Sequence, residues 1–150
     1  MASKYFYSFD EFKEDYKILA DNIKSFSPDA LISIARGGMT LTHFISEKLN
    51  LRDVYSINSI SYENDKKLDS IKVFNYPDLS NHKKIVLIDD ISDSGDTLLA
   101  IKTKLNEMYP EIEIKTATIF YKTTSKLIPD FKLKIADKWI VFFWESETII

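Results

Sequence analysis

The chain has 150 residues, 45% of them hydrophobic and 29% charged, which fits one water-soluble domain with a full core. The 20 basic and 23 acidic residues leave a net charge of −3, so the balance offers nucleic acid no general attraction. The absence of cysteine excludes disulfides and thiolate metal sites. No apolar run approaches the roughly 18 residues that span a bilayer. The opening residues lack the apolar centre of a signal peptide, so a cytoplasmic protein is expected.

Ser8-Phe9-Asp10-Glu11 reads as a capping box opening a helix. Phe9, Phe12, Tyr16, Leu19, Ile23 and Phe26 follow at helical spacing and are expected in the core. Ser27-Pro28-Asp29 ends that helix, and residues 30–34 read as a buried strand. Arg36-Gly37-Gly38 forms a turn before a second helix over residues 39–49. A strand is predicted over 53–61, a polar loop over 62–70, and a short strand over 71–74. Residues 85–89 are a further buried strand, backed by a helix over 95–108 with apolar Leu98, Leu99, Ile101 and Leu105. Residues 112–121, 131–135 and 139–143 complete the strands. Strands alternating with helices predict an α/β fold built on a parallel sheet covered on both faces. Ligands of such sheets bind at the carboxyl ends of the strands, where both Gly-bearing turns fall.

The chemistry concentrates in Asp89-Asp90-Ile91-Ser92-Asp93-Ser94-Gly95-Asp96-Thr97. A strand, a tight turn and a helix N-terminus expose unpaired N–H groups and the positive end of a dipole, which suits a phosphate. Ser94 and Thr97 add hydroxyl donors, and Gly95 lets the backbone approach closely. Asp89 and Asp90 suit sugar hydroxyls or a hard cation instead. A phosphorylated sugar with magnesium satisfies both halves. Arg36-Gly37-Gly38 reads as a second anion site, with one guanidinium and N–H groups exposed by glycine. His43 and His82 are not spaced as metal ligands, and His43 is expected to pack in its helix.

The run closely resembles the phosphoribosyl pyrophosphate (PRPP) motif of the type I phosphoribosyltransferases: an apolar strand, two acids, two variable residues, then Asp-Thr-Gly-x-Thr. Ser94 stands where Thr is commoner and keeps the hydroxyl. A receiver domain also has paired aspartates after a strand, but they follow its first strand. The resemblance implies a parallel-sheet fold with a small C-terminal hood and base-recognition region, in a single domain over 1–150. It implies that Arg36, Gly37 and Gly38 bind pyrophosphate, with a cis peptide at Arg36–Gly37. In that family Ser commonly precedes the arginine; here Ala35 does. Asp89, Asp90 and Ile91 would hold PRPP, with Asp90 nearest a magnesium ion. Ser92, Ser94, Gly95, Asp96 and Thr97 would hold the 5′-phosphate. Asp93 would face purine N7 as the catalytic base.

Ser61 and Tyr62 match the start of a mobile loop that closes over PRPP. Lys66 or Lys67 is within reach of pyrophosphate there, and Leu68 stands where relatives carry arginine. Lys122, after an apolar strand, matches a lysine that donates to purine O6 in 6-oxopurine members. Trp139 and Ile140 open a stretch similar to the Trp-Ile-x-x-Pro-Trp of bacterial xanthine-guanine enzymes, with Phe143 in place of proline. Trp139 would stack on the purine, and Ile140 would lie beside it. The implied partners are a purine base and PRPP, no nucleic acid, and further copies of the chain in a dimer or tetramer. A nucleic-acid-binding regulator on the same fold and an enzyme for another base are the alternatives. Guanine, xanthine and hypoxanthine are left unranked.

Overall fold

The computed structural model describes residues 3–61 and 71–145. Along the chain run β1 (Lys4–Tyr7), α1 (Phe9–Lys24), β2 (Ala30–Ala35), α2 (Met39–Leu49), β3 (Val54–Ser61) and β4 (Ile71–Phe74). Then come β5 (Lys84–Ile88), β6 (Ile91–Ser92), α3 (Asp96–Met108), β7 (Glu113–Ala117), β8 (Phe120–Tyr121), β9 (Lys134–Ile135) and β10 (Trp139–Phe142).

The main sheet has the order β4-β3-β2-β5-β7. It is parallel except for β4, which turns back antiparallel against β3 at the edge. Alternate side chains of a strand point to opposite faces, so a strand covered on both sides is apolar throughout. β2 and β5 show this, apart from Ser33 in β2 and the exposed Lys84 that opens β5. Leu31, Val86 and Ile88 pack with Phe12, Leu19 and Ile23 of α1 and Leu41 and Ile45 of α2. Ile32, Ile34, Ile85 and Leu87 face the other way, onto Leu98, Ile101 and Leu105 of α3.

Ser8 caps α1 as its sequence predicts, its hydroxyl accepting the Glu11 N–H at 3.2 Å. Phe9 is 45% exposed rather than core, because it stands at the open end of α1. Leu99 is 42% exposed, on the face of α3 turned from the sheet. His43 is exposed rather than packed, since α2 buries Leu41, Thr42 and Ile45 instead.

The predicted strand over 112–121 is two strands in different sheets. The main sheet ends at Ala117, and β8 pairs with β6 and β9 in a second parallel sheet. The Thr118 hydroxyl donates to the Phe120 carbonyl at 2.7 Å across the crossing. Of residues 131–135, Phe131 makes only an isolated bridge to Ala117, and β9 is the strand.

Two strands have no counterpart in the sequence reading. β6 follows Asp90 directly, and β1 pairs in parallel with β10. The β1–β10 pair forms a hood over the carboxyl ends of the main strands. Tyr7 anchors it, with its ring against Phe120 and Phe142 and its hydroxyl donating to buried Asp15 at 2.5 Å. Lys134 neutralises Asp15 from β9 at 2.8 Å. No described helix is long and apolar enough to cross a membrane.

Candidate active site

Three recesses meet at the carboxyl ends of β2 and β5. The smallest, about 90 Å³, is lined by Asp89, Ile91, Ser92, Asp93, Ser94, Gly95, Thr97 and Leu98. A cavity of about 280 Å³ adjoins it, sharing Ile91 and Asp93 and adding Asp90, Lys122, Trp139, Ile140, Phe142 and Glu145. A third, of about 570 Å³, shares Asp90 and Glu145 and adds Arg36, Gly37, Met39, Thr40 and Trp144. The two turns predicted to share one site do so.

Both α2 and α3 begin here with glycine as the N-cap, Gly38 and Gly95, and neither has a capping side chain. The Met39 N–H donates to the Arg36 carbonyl at 3.1 Å and the Asp96 N–H to Ser94 Oγ at 3.2 Å, but no cap side chain takes the N–H groups that follow. Two open helix N-termini thus face one site. Gly38 is required by space: a Cβ there would sit 2.5 Å from the Ile88 carbonyl oxygen. Gly95 is required by conformation as well, with φ of +84°. The cis peptide lies between Ala35 and Arg36, one bond earlier than the sequence resemblance implies.

Around the smallest recess the side chains divide their work. Ser92 is buried and has its hydroxyl engaged with Ser125 Oγ and the Leu127 carbonyl, each at 2.8 Å. Expected as a phosphate ligand, its side chain instead braces the turn against residues 125–127. The Asp96 carboxylate points along α3 and accepts from Lys126 Nζ at 2.7 Å. Ser94 Oγ accepts the Asp96 N–H at 3.2 Å, and Thr97 completes the lining.

Asp93 and Lys122 come together through strand register. Ser92 of β6 pairs with Tyr121 of β8 in parallel, so the next residues of both chains emerge side by side. Lys122 Nζ lies 2.7 Å from Asp93 Oδ1. Trp139, 61% exposed, presents its ring at the cavity where Ile140 is buried.

Asp89 and Asp90 are adjacent acids at the meeting point of the recesses. Burial first, and then the charge of Asp90, push the Asp89 carboxyl well above the usual carboxylate range. Burial likewise pushes Asp90 up, with Glu145 adding to it. The Asp90 N–H donates to Asp89 Oδ1 at 2.9 Å. Such a pair favours whatever brings positive charge or hydroxyl donors.

These residues match a family model. The phosphoribosyl transferase domain matches residues 12–148. The chain belongs to the phosphoribosyltransferase family. Xanthine-guanine phosphoribosyltransferases of Cereibacter sphaeroides and Roseobacter denitrificans are 26% and 29% identical, each over 92% of this chain, and over 84% and 83% of their own lengths. The xanthine-guanine-hypoxanthine phosphoribosyltransferase of Helicobacter pylori superposes with a TM-score of 0.89 at 38% identity, covering 97% of this chain and 96% of that one. A purine phosphoribosyltransferase from Pyrococcus horikoshii gives 0.80 at 27%, covering 95% and 94%. The fold is that of the type I phosphoribosyltransferases.

Sequence reasoning missed Glu145, Thr40, Met39 and Phe142 in the lining, and Ser125 and Lys126 behind the turn. Glu145 follows Trp144 directly, which was its one signal; an isolated serine and lysine carry none. Ser61 ends β3, whereas Tyr62, Lys66, Lys67 and Leu68 lie outside the described residues.

Proposed function

We propose that this protein is a purine-salvage phosphoribosyltransferase that converts guanine, xanthine or hypoxanthine and PRPP to the nucleoside 5′-monophosphate and pyrophosphate. The observation that carries the reading is three recesses meeting around Asp89, Asp90 and Ile91, as a ribose that bears a 5′-phosphate, a base and a leaving group requires. The smallest takes the 5′-phosphate, on the N–H groups of residues 94–97 and the Thr97 hydroxyl. The middle cavity takes the base; its volume of about 280 Å³ sits near the lower end of the roughly 300–1,000 Å³ usual for small-molecule sites. The third takes pyrophosphate, on Arg36 and the Gly37 N–H; the Gly38 N–H, expected there too, instead donates to the Ile34 carbonyl at 2.9 Å. Asp89, Asp90 and Ile91 lie between them, where the ribose must sit.

In the reaction purine N9 attacks C1′ of PRPP, the C1′–N9 bond forms, and the C1′–pyrophosphate bond breaks. The proton on the base passes from N7 to Asp93, a transfer that typically contributes about 10²–10⁴-fold. Positive charge develops on the ribose, and the carboxylates of Asp89 and Asp90 stabilise it. Lys122 donates to purine O6. Its ammonium lies 2.7 Å from Asp93 Oδ1, so the two groups that would read O6 and N7 are neighbours. Trp139 stacks on the ring, a contact worth about 1–3 kcal/mol for a base on an aromatic face.

The paired acids fit magnesium. That ion binds through one or two carboxylates plus substrate oxygens, and its charge would offset the burial that, ahead of neighbouring acids, pushes both carboxyls up. Asp90 would hold it, with Asp89 turned to the ribose hydroxyls. When bound it supplies positive charge to the departing pyrophosphate. The protein works in the cytoplasm as a homo-oligomer, without nucleic acid, in a single domain spanning 1–150.

Assay of the purified protein with PRPP, magnesium and guanine, xanthine, hypoxanthine and adenine tests the assignment. Turnover of 6-oxopurines is expected. Preference for adenine, or no nucleotide from any of the three, refutes it.

A further inference from the structure

Asp96, which the family resemblance implies as a 5′-phosphate ligand, does not line the phosphate recess. It opens α3, and its carboxylate carries the same sign as the ligand. An acid at a helix N-terminus suits the dipole, but there it competes with a bound anion for the same positive end. The structure resolves the conflict from behind the turn. Lys126 Nζ lies 2.7 Å from Asp96 Oδ1, and Asp96 and Lys126 together line a groove along α3 rather than the phosphate recess. The Asp96 side chain is 23% exposed and that of Lys126 57%, so the pair lies at the surface with its acid partly covered. That contact, before any other influence, holds the Asp96 carboxyl below its usual range.

Lys126 is delivered there by the backbone. Its N–H donates to the Ser94 carbonyl at 2.8 Å, and the Ser92–Ser125 hydroxyl pair fixes the neighbouring residue. The absent side chain of Gly95 leaves the room: a Cβ would stand 2.4 Å from Ser125 Oγ and 2.9 Å from the Lys126 nitrogen.

We propose that Lys126 is a positioning residue of the 5′-phosphate subsite, neutralising Asp96 and drawing its carboxylate out of the recess so that a dianionic phosphate is accepted. This rests on the placement of the 5′-phosphate given above. Lys126 does not touch the substrate. It acts through Asp96, and its effect follows the charge of the ligand.

The test is calorimetric titration with GMP and with guanosine, which lacks the phosphate. Lys126→Met is expected to weaken GMP by at least about tenfold while guanosine stays within about twofold. High salt shrinks the loss, because the pair is near the surface. The double variant Asp96→Asn/Lys126→Met returns GMP to within about threefold of the parent, a coupling that a packing role for Lys126 does not give. Lys126→Gln, which keeps a polar stem, repeats the measurement should the methionine variant fold poorly. Unchanged GMP affinity in Lys126→Met overturns the proposal, as does equal weakening of GMP and guanosine, or no recovery in the double variant. Thr97→Val separates the two layers. If it too leaves GMP binding intact, the phosphate binds elsewhere and both readings fall; if it weakens GMP while Lys126→Met does not, only the role of Lys126 falls.

Discussion

Replacing Gly95 by alanine tests how the phosphate turn is built. The residue has φ of +84°, and a Cβ there would lie 2.4 Å from Ser125 Oγ, 2.6 Å from the Leu127 nitrogen and 2.9 Å from the Lys126 nitrogen. The left-handed backbone alone costs an alanine about 1–2 kcal/mol. Two of the three close atoms are backbone and have no rotamer to escape into, so overpacking adds about 1–3 kcal/mol. The stiffer unfolded chain returns about 0.4–1 kcal/mol, too little to reverse the sign. A net loss of about 1–4.5 kcal/mol remains. In a domain of this size each kcal/mol lowers Tm by about 2–4 °C, so a fall of roughly 2–18 °C is expected. Scanning calorimetry of the ligand-free protein measures it. Repeating the scan with GMP should show a smaller ligand-induced rise than in the parent, because the displaced 125–127 segment braces the turn through Ser92. A Tm within about 2 °C of the parent, with the GMP-induced rise intact, refutes the argument.

Gly37→Ala should give the opposite readout. The three atoms nearest its new Cβ all belong to the Asp90 carboxyl, with Oδ2 at 2.7 Å, and that group can swing aside, so Tm changes little while turnover falls. Steady-state kinetics beside calorimetry separates the two glycines. Asp93→Asn keeps shape but removes the basic group, so kcat should fall by at least about a hundredfold with far less change in KM for PRPP; a kcat within about threefold excludes Asp93 as the base. Lys122→Met should erode the preference for guanine over adenine, since a site built around a hydrogen bond rejects the analogue that lacks it. Trp139→Ala should weaken both bases alike, and competition binding reads both variants.

Asp89→Asn concerns stability against pH. The Asp89 carboxyl is pushed up in the folded chain, so between about 3.8 and its folded value the native state holds a proton that the unfolded chain has released. Stability therefore falls as pH rises through that window, and is unpenalised below about 3.8. In metal-free buffer Asp89→Asn should raise Tm at neutral pH, with the gain vanishing in acid. A lower Tm at neutral pH refutes the sign.

Much of the site was legible in the chain because it is local. An apolar run, two acids, a small donor-rich turn and a helix start are consecutive from residue 85 onward, and their geometry follows from strand, turn and helix preferences. Arg36-Gly37-Gly38 was legible for the same reason, and α/β sheets bring such turns to one end. The both-faces apolar pattern of β2 and β5 likewise implied a covered parallel sheet, as found.

What only the tertiary structure decided depends on partners distant in sequence. β1 exists because Lys4 to Tyr7 find Trp139 to Phe142, a pairing with no local period to announce it. The crossing of residues 117–120 between sheets is hidden in one continuous stretch of strand-forming residues with no glycine or proline, because both strands it joins need the same residue types. The Ser92 hydroxyl reads as a ligand in the motif, and only the proximity of residues 125–127 turns it into a brace. Asp96 and Lys126 lie 30 positions apart, and no spacing rule couples them. Sequence by itself determined which chemistry is present and near which strand ends. Long-range packing decided which of those polar groups remain open to a ligand, because most buried donors and acceptors are taken by whatever the fold brings beside them.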